Sequence, residues 1–162
     1  MKGPNAFQRG FQRFASLRPI AWVFRHTAHH LDRATAKLTK GRTLSGMLAG
    51  IPNIMLTTTG AKSGQQRTVP LVGLNIDGNI AIVGTRFGSH EHPGWYHNLM
   101  KNPAATVEVN GTVTRETARL VPPGAEYDRI MATADGVYTG YAKYRSRITD
   151  RHIPIFMLEA SR

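Results

Sequence analysis

Residues Val69 to Thr85 read VPLVGLNIDGNIAIVGT, two runs rich in β-branched residues on either side of Asp77-Gly78. An Asp-Gly pair between such runs marks a two-residue hairpin, because both turn positions need positive φ. This predicts a strand over Val69–Ile76 and another over Asn79–Thr85. Working outward, NIMLTTT at Asn53–Thr59, TVEVN at Thr106–Asn110, the stretch Gly111–Val121 and IPIFML at Ile153–Leu158 carry the same Thr, Val and Ile bias. Asn110-Gly111 supplies a second hairpin signal. Six consecutive strands with few crossovers imply an α+β fold, a mostly antiparallel barrel or curled sheet with peripheral helices. The helices are expected at Pro93–Lys101, with proline in the first turn, and irregularly from Pro123 to Arg147, where Gly136 and Gly140 interrupt the pattern.

At 162 residues the chain is long enough for one core without disulfides, and it contains no cysteine. Thiolate metal sites, iron–sulfur ligation and cysteine nucleophiles are therefore excluded, and the composition suits a reducing cytoplasm. Twenty-one Lys and Arg against ten Asp and Glu give a net charge of +11, which calls for an anionic partner. Nine of those cations but only one acid, Asp32, lie in residues 1–50.

That segment reads as an N-terminal helical arm, with residues 51–162 as the barrel domain. Phe7, Phe11 and Phe14 share one helix side opposite Arg9 and Arg13, and a second helical pattern from Ile20 to Lys40 repeats the arrangement. Such an arm packs on its own domain or lies on an anionic membrane surface at the inner face of the cell membrane. No groove-reading or base-stacking motif accompanies the charge, which disfavours nucleic acid. No apolar run approaches the roughly 20 residues of a spanning helix, and the first thirty residues, which interleave Phe with Arg and Gln, do not read as a secretory signal.

Three segments carry candidate chemistry. Thr57–Arg67 (TTTGAKSGQQR) delivers a strand into a turn with two glycines, hydroxyls and the cations Lys62 and Arg67, a setting in which backbone approaches phosphate. It lacks the Walker spacing. Thr85–Leu99 (TRFGSHEHPGWYHNL) runs from a strand end into a helix whose first-turn N–H groups suit an anion or the polar edge of a ring. His90, His92 and His97 beside Glu91 have no recognised ligand spacing, so no metal is expected. Tyr138, Tyr141 and Tyr144 recur at helical spacing and form either core or a flat pocket wall with hydroxyls. There is no Gly-x-Ser-x-Gly elbow or His-Glu-x-x-His motif, so an enzyme of this sequence would rely on a cofactor.

Taken together, LTTTGAKSG at Leu56–Gly64, RTVPL at Arg67–Leu71, HPGWYHNL at His92–Leu99, YTGY at Tyr138–Tyr141 and TDRHIP at Thr149–Pro154 resemble the deazaflavin (F420)-dependent nitroreductase family, with its quinone-reductase-like members. The resemblance spans nearly the whole chain. It implies a six-stranded split β-barrel, monomeric or homodimeric, that binds coenzyme F420 and passes a hydride to a quinone or similar planar electrophile, nitroaromatics included. By the family pattern Thr59, Lys62, Ser63, Gly64 and Arg67 hold the phosphate and oligoglutamate tail. Pro70 and Leu71 flank the ring, Thr85, Arg86, Trp95, Tyr96 and Asn98 line its site, and Tyr138, Tyr141 and Tyr144 cover the substrate as the catalytic group. Ala61 stands where the family usually has Arg, and Phe87 where glycine is common. The alternatives are a flavin mononucleotide (FMN)-binding split barrel and a non-catalytic basic module for a membrane surface or nucleic acid.

Overall fold

A computed structural model describes residues 52–161. The arm expected over residues 1–50, and with it the proposed domain boundary, lies outside them. Seven strands form one antiparallel sheet: β1 (Asn53–Thr59), β2 (Gln66–Val72), β3 (Leu74–Ile76), β4 (Asn79–Val83), β5 (Ala104–Val109), β6 (Thr112–Leu120) and β7 (Ile155–Ala160). Their hydrogen-bonded order is β2-β1-β5-β6-β7-β4-β3. Three helices accompany them, α1 (Gly94–Lys101), α2 (Ala125–Val137) and α3 (Gly140–Arg145), with a 3₁₀ turn at Arg86–Gly88.

The order of the strands dictates the curl. β2 and β3 stand at opposite ends of it, yet only Gly73 separates them in the chain. In a flat sheet those strands would lie six spacings of about 4.8 Å, or about 29 Å, apart. The sheet therefore wraps until its two edges meet at Gly73. A Cβ there would sit 2.6 Å from Ile54 Cγ2 and 3.2 Å from Ile80 Cγ2, so the seam closes only with glycine. This corrects the expected strand over Val69–Ile76, which is two strands, and raises the count from six to seven. Gly73→Ala overpacks the seam, and a loss of about 1–3 kcal/mol is expected, read as a lower denaturant midpoint.

Both hairpins form as the sequence predicts. Asp77 and Gly78 have φ of 51° and 89°, and Asn110 and Gly111 have 51° and 86°. Inside the barrel Ile54, Leu56, Ile82, Val107, Phe156 and Leu158 pack together, with Trp95 and Leu99 of α1 inserted from one end. Between the hairpins at the other end a cavity of about 210 Å³ remains, lined by Ile80, Val109, Glu116 and Leu158. The outer face of β3, β4 and β7 is covered by α2 and α3 through Leu74, Val83, Ile130, Met131, Tyr141 and Ile155. Arg119 ties this layer to the sheet by pairing with Glu126 of α2 and Glu159 of β7, each at 2.8 Å.

The long helix expected from Pro123 to Arg147 is broken instead. Tyr138 is extended, with φ −140° and ψ 112°, and ends α2. The reason is packing: a Cβ on Gly140 would lie 2.3 to 2.6 Å from atoms of the Tyr138 ring, which occupies that space.

Candidate functional site

Antiparallel pairing sorts the connections. The two tight hairpins close one end of the barrel, whereas segments 60–65, 84–103 and 121–154 all leave the other. Every segment singled out for chemistry thus belongs to one rim, apart from β2 itself.

The first part is the turn at residues 60–64. Gly60 N–H donates to the Gln65 carbonyl and Gly64 N–H to the Gly60 carbonyl, both at 2.8 Å, and Gly64 has φ 67°. Lys62, Ser63, Gly64 and Arg67 are exposed, and neither Lys62 nor Arg67 has an ion-pair partner among the described residues. Ser63 Oγ accepts from Gln65 N–H at 3.3 Å. Thr59 Oγ1 accepts from Gln66 Nε2 at 3.2 Å on the same rim.

Asn98 binds this turn to α1. Its Nδ2 donates to Thr58 Oγ1 at 2.9 Å, and its Oδ1 accepts from Ala61 N–H at 2.8 Å. The side chain expected on the ring is thus engaged by protein on both amide atoms. Lys101 was missed by sequence reasoning; its Nζ donates to the Ala61 carbonyl at 2.7 Å and adds a third cation to the turn. Trp95 is buried in the barrel against Phe156, with ring centroids 6.0 Å apart. Tyr96 is half-buried at the rim and stacks on His92 at 4.2 Å.

Pro70 and Leu71 are not brought together on one surface. They pair with Met55 and Ile54, and adjacent strand residues project to opposite faces. Leu71 packs with the barrel interior, so Pro70 faces outward.

The second part is the loop after β4. Thr85 is buried and caps a turn in which Arg86, Phe87 and Gly88 have φ of 45°, 56° and 82°. Arg86 Nη1 donates to Glu91 Oε2 and to the His92 carbonyl, the latter at 3.1 Å. Arg151, another residue that sequence reasoning gave no role, reaches into this loop. His90 pairs with Asp150 at 2.9 Å. Burial, followed by the charges of Arg151, His97 and His152, lowers the His92 pKa below its usual value. No group of three metal-ligating side chains occurs among the described residues.

The third part is the tyrosine cluster. Although the helix breaks between them, Tyr138 and Tyr144 share a hydrogen bond between hydroxyls at 2.9 Å, and Tyr138 packs edge-on to Tyr141 at 5.6 Å. Tyr141 and Tyr144 are buried in the outer layer, while Tyr138 is half-buried. Burial raises the pKa of all three phenols. Phe87, 40% exposed, meets the Tyr144 ring edge-on at 5.9 Å and joins the loop to α3.

Three cations and a glycine turn beside half-buried aromatic surface suit a planar molecule with an anionic tail. The residues present fit coenzyme F420 on that ground, since Lys62 and Arg67 are uncommitted and the turn is tightly wound, a Cβ at Gly60 lying 2.7 Å from Ser63 Oγ and 3.1 Å from the Gln65 carbonyl.

Comparison with known proteins agrees. Residues 25–160 match the family model described as F420H(2)-dependent quinone reductase. The chain is 34% identical over 142 residues to an F420H(2)-dependent quinone reductase of Mycobacterium tuberculosis, covering 85% of this chain and 95% of that one. A solved structure of an F420-H2 dependent reductase is 39% identical, covers 67% of this chain and 94% of its own, and superposes with a TM-score of 0.61. A second, described as a domain-swapped dimer, is 34% identical with a TM-score of 0.63, covering 87% and 99%. Among the described residues no helix is long and apolar enough to cross a membrane. With its motifs gathered at one rim and a family match over most of its length, this chain belongs to the F420H(2)-dependent quinone reductase family.

Proposed function

We propose that the protein is an oxidoreductase that uses F420H2 to reduce a quinone or a similar planar electrophile, nitroaromatics included. The observation that carries the reading is that the glycine turn with its uncommitted cations and the connections bearing Tyr96 and Tyr138 all leave the same end of the barrel. Bound F420H2 supplies the hydride. Lys62, Ser63, Gly64 and Arg67, with Thr59 and Lys101 at their side, hold the anionic phosphate and tail. Thr85, Arg86 and Tyr96 border the ring, and Asn98 and Trp95 support that border from beneath. Tyr138, half-buried at the surface, faces the electron acceptor, with Tyr141 and Tyr144 buried behind it, and the group excludes water.

The phenols act as neutral hydrogen-bond donors toward the oxyanion that develops on the acceptor. Their raised pKa values keep the proton in place at every pH below the usual tyrosine value of about 10. The pH profile of turnover is therefore expected to show no tyrosine ionisation up to that value. Tyr141→Phe removes a donor that acts in the transition state and should lower turnover about tenfold or more while leaving F420H2 affinity unchanged. Equal losses in both would argue against this role.

Titration with F420 and with FMN, followed by fluorescence, tests the reading directly. Saturable binding of F420 but not FMN supports it; preference for FMN replaces it with the flavin alternative, and binding of neither leaves a non-catalytic module. The related domain-swapped dimer favours a homodimer for this chain as well, which sedimentation would show. The basic arm of residues 1–50 supplies a contact with anionic lipid, and full-length protein should sediment with anionic vesicles at low salt and be released at high salt.

A further inference from the structure

The turn Arg86–Gly88 strings together three residues with positive φ, two of which carry side chains. Each such non-glycine residue costs about 1–3 kcal/mol and persists only where its surroundings over-determine it. The side chains of the turn are tied down by Glu91, the His92 carbonyl and Tyr144, and its flanking backbone is held by one further side chain. Arg151 Nη2 donates to the carbonyls of Gly84, Thr85 and Ser89 at 3.1, 3.2 and 3.0 Å, and its Nε donates to Ser89 again at 3.2 Å. Its Nη1 lies 3.3 Å from His92 Nδ1 and 3.2 Å from its neighbour's carbonyl at His152. A guanidinium only donates, so His92 Nδ1 accepts and the neutral ring carries its proton on Nε2.

The same strand approach is fastened a second time. Gly84 N–H donates to the Pro154 carbonyl at 2.8 Å, and a Cβ on Gly84 would meet the Pro154 ring at 2.6 Å. Segment 150–154 is thus a strap across the base of loop 84–92, with Arg151 as its clasp. Both ends of the strained turn are gripped from one atom group, which a lysine ammonium, compact and without a planar fork, cannot reproduce.

We propose that Arg151 is a positioning residue for hydride transfer: by clasping the carbonyls of Gly84, Thr85 and Ser89 it sets the left-handed turn that presents Thr85 and Arg86 to the ring. Arg151 does not touch the reacting atoms in this arrangement. The inference rests on the proposed function, because Thr85 and Arg86 matter only if they border the ring. The tail anchors at residues 60–67 are held separately, by Asn98 and Lys101. Loss of the clasp should therefore affect the chemical step far more than binding.

The test compares wild type with Arg151→Met and Arg151→Lys in the full chain. Amide hydrogen exchange of the free protein is expected to accelerate about tenfold or more across residues 85–92 in Arg151→Met, with residues 60–64 unaffected. F420H2 affinity should stay at the wild-type level, whereas the single-turnover rate with a soluble 1,4-naphthoquinone falls about ten- to a hundredfold. Arg151→Lys should lie between. Unaltered exchange over 85–92 overturns the clasp. Parallel losses of affinity, rate and thermal midpoint overturn the positioning role and leave Arg151 a stability residue. If the wild type itself does not bind F420H2, the proposed function falls and takes the catalytic half of the inference with it, while the exchange comparison still decides the clasp.

Discussion

Replacing Lys62 and Arg67 together by alanine should weaken F420H2 binding by at least about a hundredfold, because each charge-assisted contact to an anionic group is worth about 1.5–3 kcal/mol. The two cations suit this role through their freedom. Arg86, Arg119, Arg129 and Arg145 are each paired with a carboxylate, so removing one of those would first cost the protein an internal contact. Lys62 and Arg67 are exposed and unpaired among the described residues, so their loss should leave the thermal midpoint where it is. The wild-type dissociation constant should rise with salt, and the double variant should show a flatter dependence, since fewer charges then meet the ligand. Turnover at saturating F420H2 should change little. A double variant with unaltered affinity would move the tail away from residues 60–67.

Asn98→Leu is expected to damage stability and binding at once. The substitution keeps the branching and heavy-atom count of the side chain but leaves the Ala61 N–H and the buried Thr58 hydroxyl without the partner that each now has at 2.8 and 2.9 Å. Unmade buried hydrogen bonds cost about 1–3 kcal/mol apiece, so the thermal midpoint should drop by roughly 5–15 °C for a chain of this length. With the turn untethered from α1, Lys62 must be ordered at the moment of binding, and F420H2 affinity should fall as well. Asn98→Asp separates the two bonds. A carboxylate still accepts from Ala61 N–H, yet it donates nothing to Thr58, so its loss should be about half as large. Calorimetry and fluorescence titration on the same preparations read both effects.

The contrast between these two sites shows where sequence suffices. The placement of Lys62 and Arg67 is legible, because a Thr-rich strand that runs into two glycines puts both cations at an exposed turn; their proposed role comes from the family pattern. The strands and both hairpins are legible for a similar local reason: β-branched runs and Asp-Gly or Asn-Gly pairs act within a few residues. Gly73 is not legible. VPLVGLNI looks like one strand, and what divides it is the meeting of two sheet edges far apart in pairing order. The break at Tyr138 has the same character, since Gly136 and Gly140 advertise weakness in a helix without saying that an aromatic ring will lie over the second glycine. Asn98 carries the right residue type for a ring contact, but its partners, 37 and 40 residues away, set its actual work. Arg151 lies in the TDRHIP stretch that carries the resemblance, but its role is not legible, because the carbonyls of Gly84, Thr85 and Ser89 that it grips are more than 60 residues distant and no side-chain pattern records them.

The separation of tight hairpins from long connections gives the molecule a handle as well as a working end. Since the sequence contains no cysteine, a single thiol introduced near a hairpin would be unique. Val113, beside Asn110-Gly111 and 60% exposed, is a suitable place. A Val113→Cys protein coupled there to a gold or graphite surface would stand with the rim proposed to hold the cofactor turned to solution, so electron delivery to quinones could be measured on an oriented monolayer.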